Sequence, residues 1–231
     1  MFESFSFFVV VLKLMLYVSG IFDCVGYVVL FDDNKHLSQY FVNTYVKEAS
    51  YINGLDERDV KTIISMESGG RSGVVGKSGE YGMMQIMPYN FENFYVEGVN
   101  KKLAQRGREK LFFNNDSDRF NVRSNIILGS YIFYTKVRYY KSYIWAAMSY
   151  NLGPGGVKKA INIWKSREND NRWFCKKISN VRFGRQFSYS YKYAKRSGRL
   201  REWNKMFGSI PNDAMDAFLS RKGGKYCERT K

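Results

Sequence analysis

Between Val60 and Pro88 the spacing of apolar and polar positions changes character twice. Val60, Ile63, Ile64 and Glu67 fall at i, i+3, i+4 and i+7, the repeat that brings side chains to one face of a helix. Asp56 stands where an N-cap belongs, and Glu57 and Asp59 suit the positive end of the helix dipole. Gly69-Gly70 ends the helix, because glycine takes the left-handed conformation past a helix C-terminus without a Cβ penalty. Arg71 to Tyr81 then holds five Gly or Ser residues around Val74-Val75 and reads as a loop or small β-hairpin. Gly82 to Pro88 returns to an apolar run with a single amide, Gln85, inside it.

Elsewhere the helical period dominates. Residues 37–50 place Leu37, Phe41, Tyr45 and Val46 on one side, and Asn53-Gly54 marks a turn. Residues 89–120 read as polar and irregular, with a basic patch at Lys101, Lys102, Arg106, Arg108 and Lys110. A helix is predicted over 122–140 with Ile126, Ile127, Ser130, Tyr131 and Tyr134 inward. Further helices are predicted over 142–150, 157–165 and 186–206. The fold class is α+β, mainly α, with one small β-hairpin or loop region after the helix that carries Glu67. No internal repeat is visible.

Residues 4–31 are dominated by apolar side chains and support two readings, a membrane anchor and a cleaved export signal. Lys13 counts against the anchor, at roughly 2.5–3.5 kcal/mol for a charge at the bilayer centre. The first residues are not basic, and bulky Ile21 and Phe22 before Cys24 make a poor lipoprotein site. The balance favours the anchor slightly, and a buried helix of a soluble protein is the plain alternative. The expected organisation is a hydrophobic anchor or signal over 1–31, one domain over 36–207, and a basic tail over 208–231.

Composition adds three constraints. The 231 residues, 45% hydrophobic, suffice for one packed core and a terminal extension. Aromatics reach 17%, so most serve the core and a few remain as sugar-stacking surfaces. The net charge of +16 is uneven: residues 158–231 carry 20 Lys or Arg against 6 Asp or Glu. That asymmetry suits an anionic partner such as cell-wall peptide carboxylates, a lipid surface or nucleic acid, or else a merely solvated face. Cys24, Cys175 and Cys227 are too scattered for a metal cluster. A Cys175–Cys227 disulfide fits an oxidising compartment, and free buried thiols fit as well. The single histidine, His36, reads as a surface or cap residue, and a Ser-His-Asp triad has no other histidine to use.

Glu67 then stands out as a carboxylate on an apolar helix face, where glutamate is seldom buried without a role. Desolvation and the negative end of the dipole both disfavour its ionised form. A carboxylic acid kept protonated in an apolar cleft is what general-acid cleavage of a glycosidic bond requires. It is the one acidic residue that the pattern places on an apolar helix face beside the Gly-rich turns.

Three ordered motifs carry a resemblance. Glu67-Ser68-Gly69, then Ser78 to Pro88 (SGEYGMMQIMP), then Ser149 to Gly155 (SYNLGPG) resemble the lytic transglycosylases with a lysozyme-like soluble-transglycosylase domain. The stretch 45–66, and Asn125-Ile126 with Gly129 and Tyr131, also fit that domain. The resemblance covers roughly residues 40–165 and more weakly extends to about 200. It implies a lysozyme-like fold and cleavage of the β-1,4 bond between N-acetylmuramic acid and N-acetylglucosamine in peptidoglycan. It implies that one Glu acts as acid and then base, closing a 1,6-anhydro ring on the muramyl residue without water. The substrate's own N-acetyl group assists, and neither metal nor cofactor is called for.

Carried over position by position, the resemblance gives Glu67 the catalytic place. It gives Met84 and Gln85 places along the glycan subsites, and Tyr150 and Asn151 places beside the cleaved bond; Ser78, two residues past the position where many relatives have Ser, is the candidate to substitute for it in binding substrate. Met83, Met84, Ile86 and Met87 read as core before contact, and a buried tyrosine with a satisfied hydroxyl is the lesser reading of Tyr150. The chain departs from the pattern in three places. Gly76 stands where many relatives have Ser, and Glu80 stands where the residue is usually small. The nearest match to an expected Glu-Thr-Arg-x-Tyr motif is Arg185 to Tyr189, which lacks the Glu.

The implied partners are peptidoglycan glycan strands, with membrane association through residues 4–31 and a place outside the cytoplasm, in the periplasm, anchored or exported. Wall remodelling, a secretion or conjugation apparatus, or a phage entering its host are the settings such an enzyme fits; no specific nucleic acid is expected. Two rivals remain at this point besides a nucleic-acid binder driven by the basic C-terminal third, which an export segment counts against. One is a hydrolytic muramidase with Glu80 as a second carboxylate that activates water. The other is a non-catalytic wall-binding protein on the same fold.

Overall fold

The computed structural model describes residues 39–92, 94–165 and 181–207. The expectations for the 1–31 segment, His36, the Cys175–Cys227 pair and the 208–231 tail lie outside them. Among the described residues, no helix is long and apolar enough to cross a membrane.

The chain is mainly helical. Helix α1 spans Gln39–Asn53, α2 Glu57–Glu67, α3 Phe94–Ala104, α4 Val122–Tyr140, α5 Tyr143–Lys165, α6 Val181–Ser197 and α7 Leu200–Phe207. Two 3₁₀ turns, Pro88–Phe91 and Asp116–Phe120, flank α3 and α4. The expected hairpin reduces to two isolated antiparallel bridges, Val75 to Tyr81 and Tyr81 to Ile86. Tyr81 N–H donates to Ile86 O at 2.9 Å and Ile86 N–H returns the bond at 3.0 Å, so the loop is cross-braced without a regular ladder.

Helix α4 is the central rod. Ile126, Ile127, Leu128, Ile132 and Phe133 are buried along it, against Val46, Ala49 and Ile52 of α1 and Ala146, Ala147 and Met148 of α5. Burying an aliphatic or aromatic side chain is worth about 1.5–3 kcal/mol, and this rod gathers many of them. Its start is capped by Asn121, whose side chain accepts from Ser124 N–H at 3.0 Å. Its end turns left-handed at Lys141, φ 49°. A bidentate pair ties α1 to α4, with Arg123 Nε and Nη2 2.9 and 2.7 Å from the two oxygens of Glu48.

The region 89–120 contains a helix the sequence pattern does not reveal. In α3 the buried positions are Val99 and Leu103, one turn apart, but Gly98 and two lysines interrupt the apolar period. Gly98 is needed for packing: a Cβ there would lie 2.2 Å from the Tyr131 hydroxyl. Helix α5 breaks at Gly153 (φ 69°, ψ 168°) ahead of Pro154, which matches two helices meeting at the Gly-Pro-Gly turn. The expected helix over 186–206 is two helices, divided at Gly198, φ 76°. Helix α7 buttresses α6 from behind: Trp203 Nε1 donates to Ser190 Oγ at 3.0 Å, and Phe187, Tyr191 and Phe207 pack around the indole.

Candidate active site

Glu67 is the last residue of α2, and local chemistry puts it there. Asp56 caps the start by accepting from Arg58 N–H at 2.7 Å. Val60, Ile63 and Ile64 bury the inner face. Ser68 closes the helix with its N–H on Ile64 O at 3.1 Å, and Gly69 and Gly70 leave it with φ of 66° and 86°. Arg71 Nε then donates to Ser68 O at 2.9 Å and holds the departing chain.

The Glu67 carboxyl is half-buried, and Tyr189 Oη of α6 donates to its Oε1 at 2.5 Å. Burial pushes its pKa up to about 7. The Tyr189 bond works against that rise, and the Glu80 carboxylate adds to it. The group therefore titrates near neutrality, the range a group needs if it is to give up a proton and later take one back. Burial, with the nearby Glu67 charge, also holds the phenols of Tyr150 and Tyr189 well above the ordinary tyrosine range. Both therefore stay protonated and act as donors.

Tyr150 comes from α5 and donates to the carbonyl of Met84 at 2.8 Å. Met84 N–H in turn donates to Asn125 Oδ1 at 2.9 Å, and Asn125 Nδ2 donates to the carbonyls of Tyr81 and Arg119, both at 3.0 Å. One buried asparagine of α4 thus holds the whole 81–84 turn. Gly129 belongs to the same contact, because a Cβ there would lie 2.6 Å from Met84 Cβ. The Met84 side chain is 1% exposed, so its place is in the core, as for Met83 and Ile86. Of the two sequence readings of Met84, core and subsite, the buried side chain accords with the core, and its carbonyl accepts from Tyr150.

Gln85 holds a left-handed backbone, φ 47°, uncommon for a residue with a side chain. Its own amide stabilises the turn: Nε2 donates to Gly82 O at 2.8 Å and Val74 O at 3.2 Å. Both amide hydrogens are used internally, and Oε1 lies beside Gly76. Ser78 is exposed, and its N–H donates to Glu80 Oε2 at 2.9 Å. Asn151 is exposed beside Tyr150.

Gly76 and Glu80 explain each other. A Cβ on Gly76 would meet Glu80 Oε2 at 2.1 Å and Gln85 Oε1 at 2.6 Å. The Glu80 carboxylate folds back into the volume a side chain at 76 would fill.

Two residues go beyond the sequence-based expectation. Tyr189 is the first; it closes the Arg185–Tyr189 segment, where the missing Glu leaves the motif unassigned, yet its hydroxyl reaches the carboxylate. Asp59 is the second. It is fully buried on α2, so Glu67 is not the one carboxylate on that helix's inner side. Its partners, Arg199 and Tyr193, lie 140 and 134 residues on, which no local pattern reveals. An open cavity of about 680 Å³ on the other side of α2, lined by Asp56, Lys61, Ser65 and Arg196 among others, contains none of the residues around Glu67.

Comparison with known proteins identifies the family. Residues 44–173 match the family model described as the transglycosylase SLT domain. Among solved structures the chain is similar to an inactive mutant of the lytic transglycosylase Slt from Pseudomonas aeruginosa, at 19% identity and a TM-score of 0.44. That match covers 68% of this chain and 24% of the other, so the chain spans about a quarter of that structure's length. The family-model match takes in more than half of the sequence, including Glu67, the 76–85 loop and Tyr150, and the chain belongs to the transglycosylase SLT domain family.

Proposed function

We propose that the protein is a peptidoglycan lytic transglycosylase in which Glu67 is the single acid and base. The observation that carries this reading is the half-buried Glu67 carboxyl, titrating near 7, with the Tyr189 hydroxyl on Oε1. With Oε1 occupied by Tyr189, Oε2 is the oxygen left for the substrate. Its proton goes to the glycosidic oxygen as the bond from muramyl C1 breaks. The resulting carboxylate then takes the proton of the muramyl C6 hydroxyl, and that oxygen bonds to C1. The acid form is restored, the product carries a 1,6-anhydro ring, and no water is consumed.

Around that centre, Tyr189 steadies the carboxylate, and Tyr150 and the Met84 turn shape the wall of the groove. Gln85 Oε1 and the exposed Asn151 are the polar groups left for sugar hydroxyl and acetamido groups. Ser78 lies on the rim. We assign the protein to the cell envelope outside the cytoplasm, associated with the membrane through residues 4–31; fractionation of cells with and without that segment tests the assignment.

Hydrolysis is the second reading, and Glu80 is the observation in its favour. Its carboxylate lies close enough to raise the Glu67 pKa and accepts the exposed Ser78 main-chain N–H. Digestion of purified peptidoglycan in heavy-oxygen water separates the two. The lytic reaction leaves unlabelled 1,6-anhydro ends, whereas hydrolysis places the label on C1 of a reducing muramyl end.

A further inference from the structure

Asp59 has no part in the chemistry described above, yet it is the most completely enclosed carboxylate near the site. It is 0% exposed and carries three charge-assisted bonds. Tyr193 Oη donates to Oδ1 at 2.6 Å, Arg199 Nε donates to Oδ1 at 2.7 Å, and Arg199 Nη2 donates to Oδ2 at 2.5 Å. The guanidinium in turn lies over the Tyr143 ring at 3.5 Å. Glu202 accepts from Ser142 Oγ and from Tyr143 N–H, at 2.9 and 3.2 Å. One cluster therefore pins α2, α6, the turn before α7 and the start of α5.

The same two helices meet a second time at the active site. Tyr189 and Tyr193 are one turn apart on α6, and each points its hydroxyl at a carboxylate of α2. The pairs run in opposite order along the chain, 67 with 189 and 59 with 193, so the helices are antiparallel and joined by two rungs. Only the rung at Asp59 is buried, and Arg199 fixes its carboxylate with two further bonds. The rung at Glu67 is a single bond from a half-buried tyrosine, which cannot by itself hold the register of a helix.

We infer that Tyr193, fixed by Asp59 and Arg199, is a positioning residue that sets the register of α6 so that the Tyr189 hydroxyl meets Glu67. This inference rests on the reading of Glu67 as the acid, but its geometry does not. The groups facing Glu67 are Tyr189 from α6, Tyr150 from α5 and Glu80 from the loop. Tyr189 alone of these lowers the Glu67 pKa by a hydrogen bond. Loss of register therefore has a signature: the pKa of Glu67 rises, as it does on loss of the Tyr189 hydroxyl.

The test compares full-length wild type, Tyr189→Phe, Tyr193→Phe and the double variant. The Glu67 pKa is read by carbon NMR of the labelled carboxyl, and muropeptide release is measured across pH. Tyr193→Phe is expected to raise the Glu67 pKa in the same direction as Tyr189→Phe. It is expected to lower release by up to roughly tenfold and no further than Tyr189→Phe does, because it acts by misplacing that hydroxyl. The double variant should be no worse than Tyr189→Phe alone. Arg199→Lys, which keeps the charge but loses the fork, gives a smaller shift of the same sign and serves if Tyr193→Phe does not fold. A Tyr193→Phe protein that melts earlier yet keeps the wild-type Glu67 pKa and release profile overturns the inference. If wild type releases nothing while the pKa shift is present, the positioning stands and the enzymatic reading fails.

Discussion

The Tyr189 hydroxyl donates to Glu67 Oε1 at 2.5 Å, joining two residues 122 positions apart. The bond favours the ionised carboxyl and so partly offsets the burial that raises its pKa to about 7. Removing it leaves the upward causes unopposed. A hydrogen bond to a charged group is worth about 1.5–3 kcal/mol, or about one to two pH units. Tyr189→Phe should move the alkaline limb of the pH–rate profile upward from its wild-type position near pH 7. Release at the optimum should fall roughly tenfold, because the base form is less well oriented.

Glu67 also costs stability in a definite pH window. Its folded-state pKa is raised from 4.5 to about 7, so the stability present below 4.5 is lost as pH rises through 7. Holding the ionised carboxyl in its buried place costs about 3 kcal/mol above that window. Glu67→Gln removes an ionisable group that the fold disfavours. It should melt about 5–10 °C above wild type at pH 8 and match it at pH 4, by calorimetry at both values.

Gly76→Ser tests the link between positions 76 and 80. The atoms a new side chain would strike are the far ends of Glu80 and Gln85, which can swing aside. Stability should change by less than about 1 kcal/mol. Displacing the Glu80 charge should lower the Glu67 pKa, since Glu80 acts to raise it. The alkaline limb should move down, opposite to Tyr189→Phe, and Glu80→Gln should do the same.

Arg199→Ala leaves the buried Asp59 with the Tyr193 phenol but without its guanidinium partner. Breaking a buried pair from one side costs about 3–5 kcal/mol. In a domain of this size the melting temperature should fall by about 10 °C at pH 7. Asp59→Asn combined with Arg199→Ala should recover part of the loss.

Much of the fold was legible because its causes are local. Asp56, the apolar period from Val60 to Ile64 and the Gly69-Gly70 stop define α2 within fifteen residues, and α4 announces itself by its long inward face. The isolated bridges at Val75, Tyr81 and Ile86 fall short of a hairpin because glycine and serine supply no cross-strand packing. Helix α3 escaped because its Gly98 answers to Tyr131 on another helix rather than to its own neighbours. Glu67 was visible as a carboxylate on an apolar face, whereas Asp59 looked like an N-terminal acid suited to the helix dipole. Its burial depends on Arg199 and Tyr193, which approach only when the chain has folded. Tyr189 lay in a degraded motif, and only the packing of α6 against α2 shows where its hydroxyl goes. Met84 reads as groove or core from sequence, and the absence of a side chain at Gly129 decides for core.

The central claim is that Glu67 alone cleaves the glycan strand and closes the 1,6-anhydro ring. Its most direct test is digestion of purified sacculi by wild type and by Glu67→Gln, with mass spectrometry of the released muropeptides. Wild type should yield muropeptides ending in 1,6-anhydromuramic acid, and Glu67→Gln should release at least roughly 10²-fold less. Equal release by both proteins, or wild-type products with reducing muramyl ends, would contradict the account.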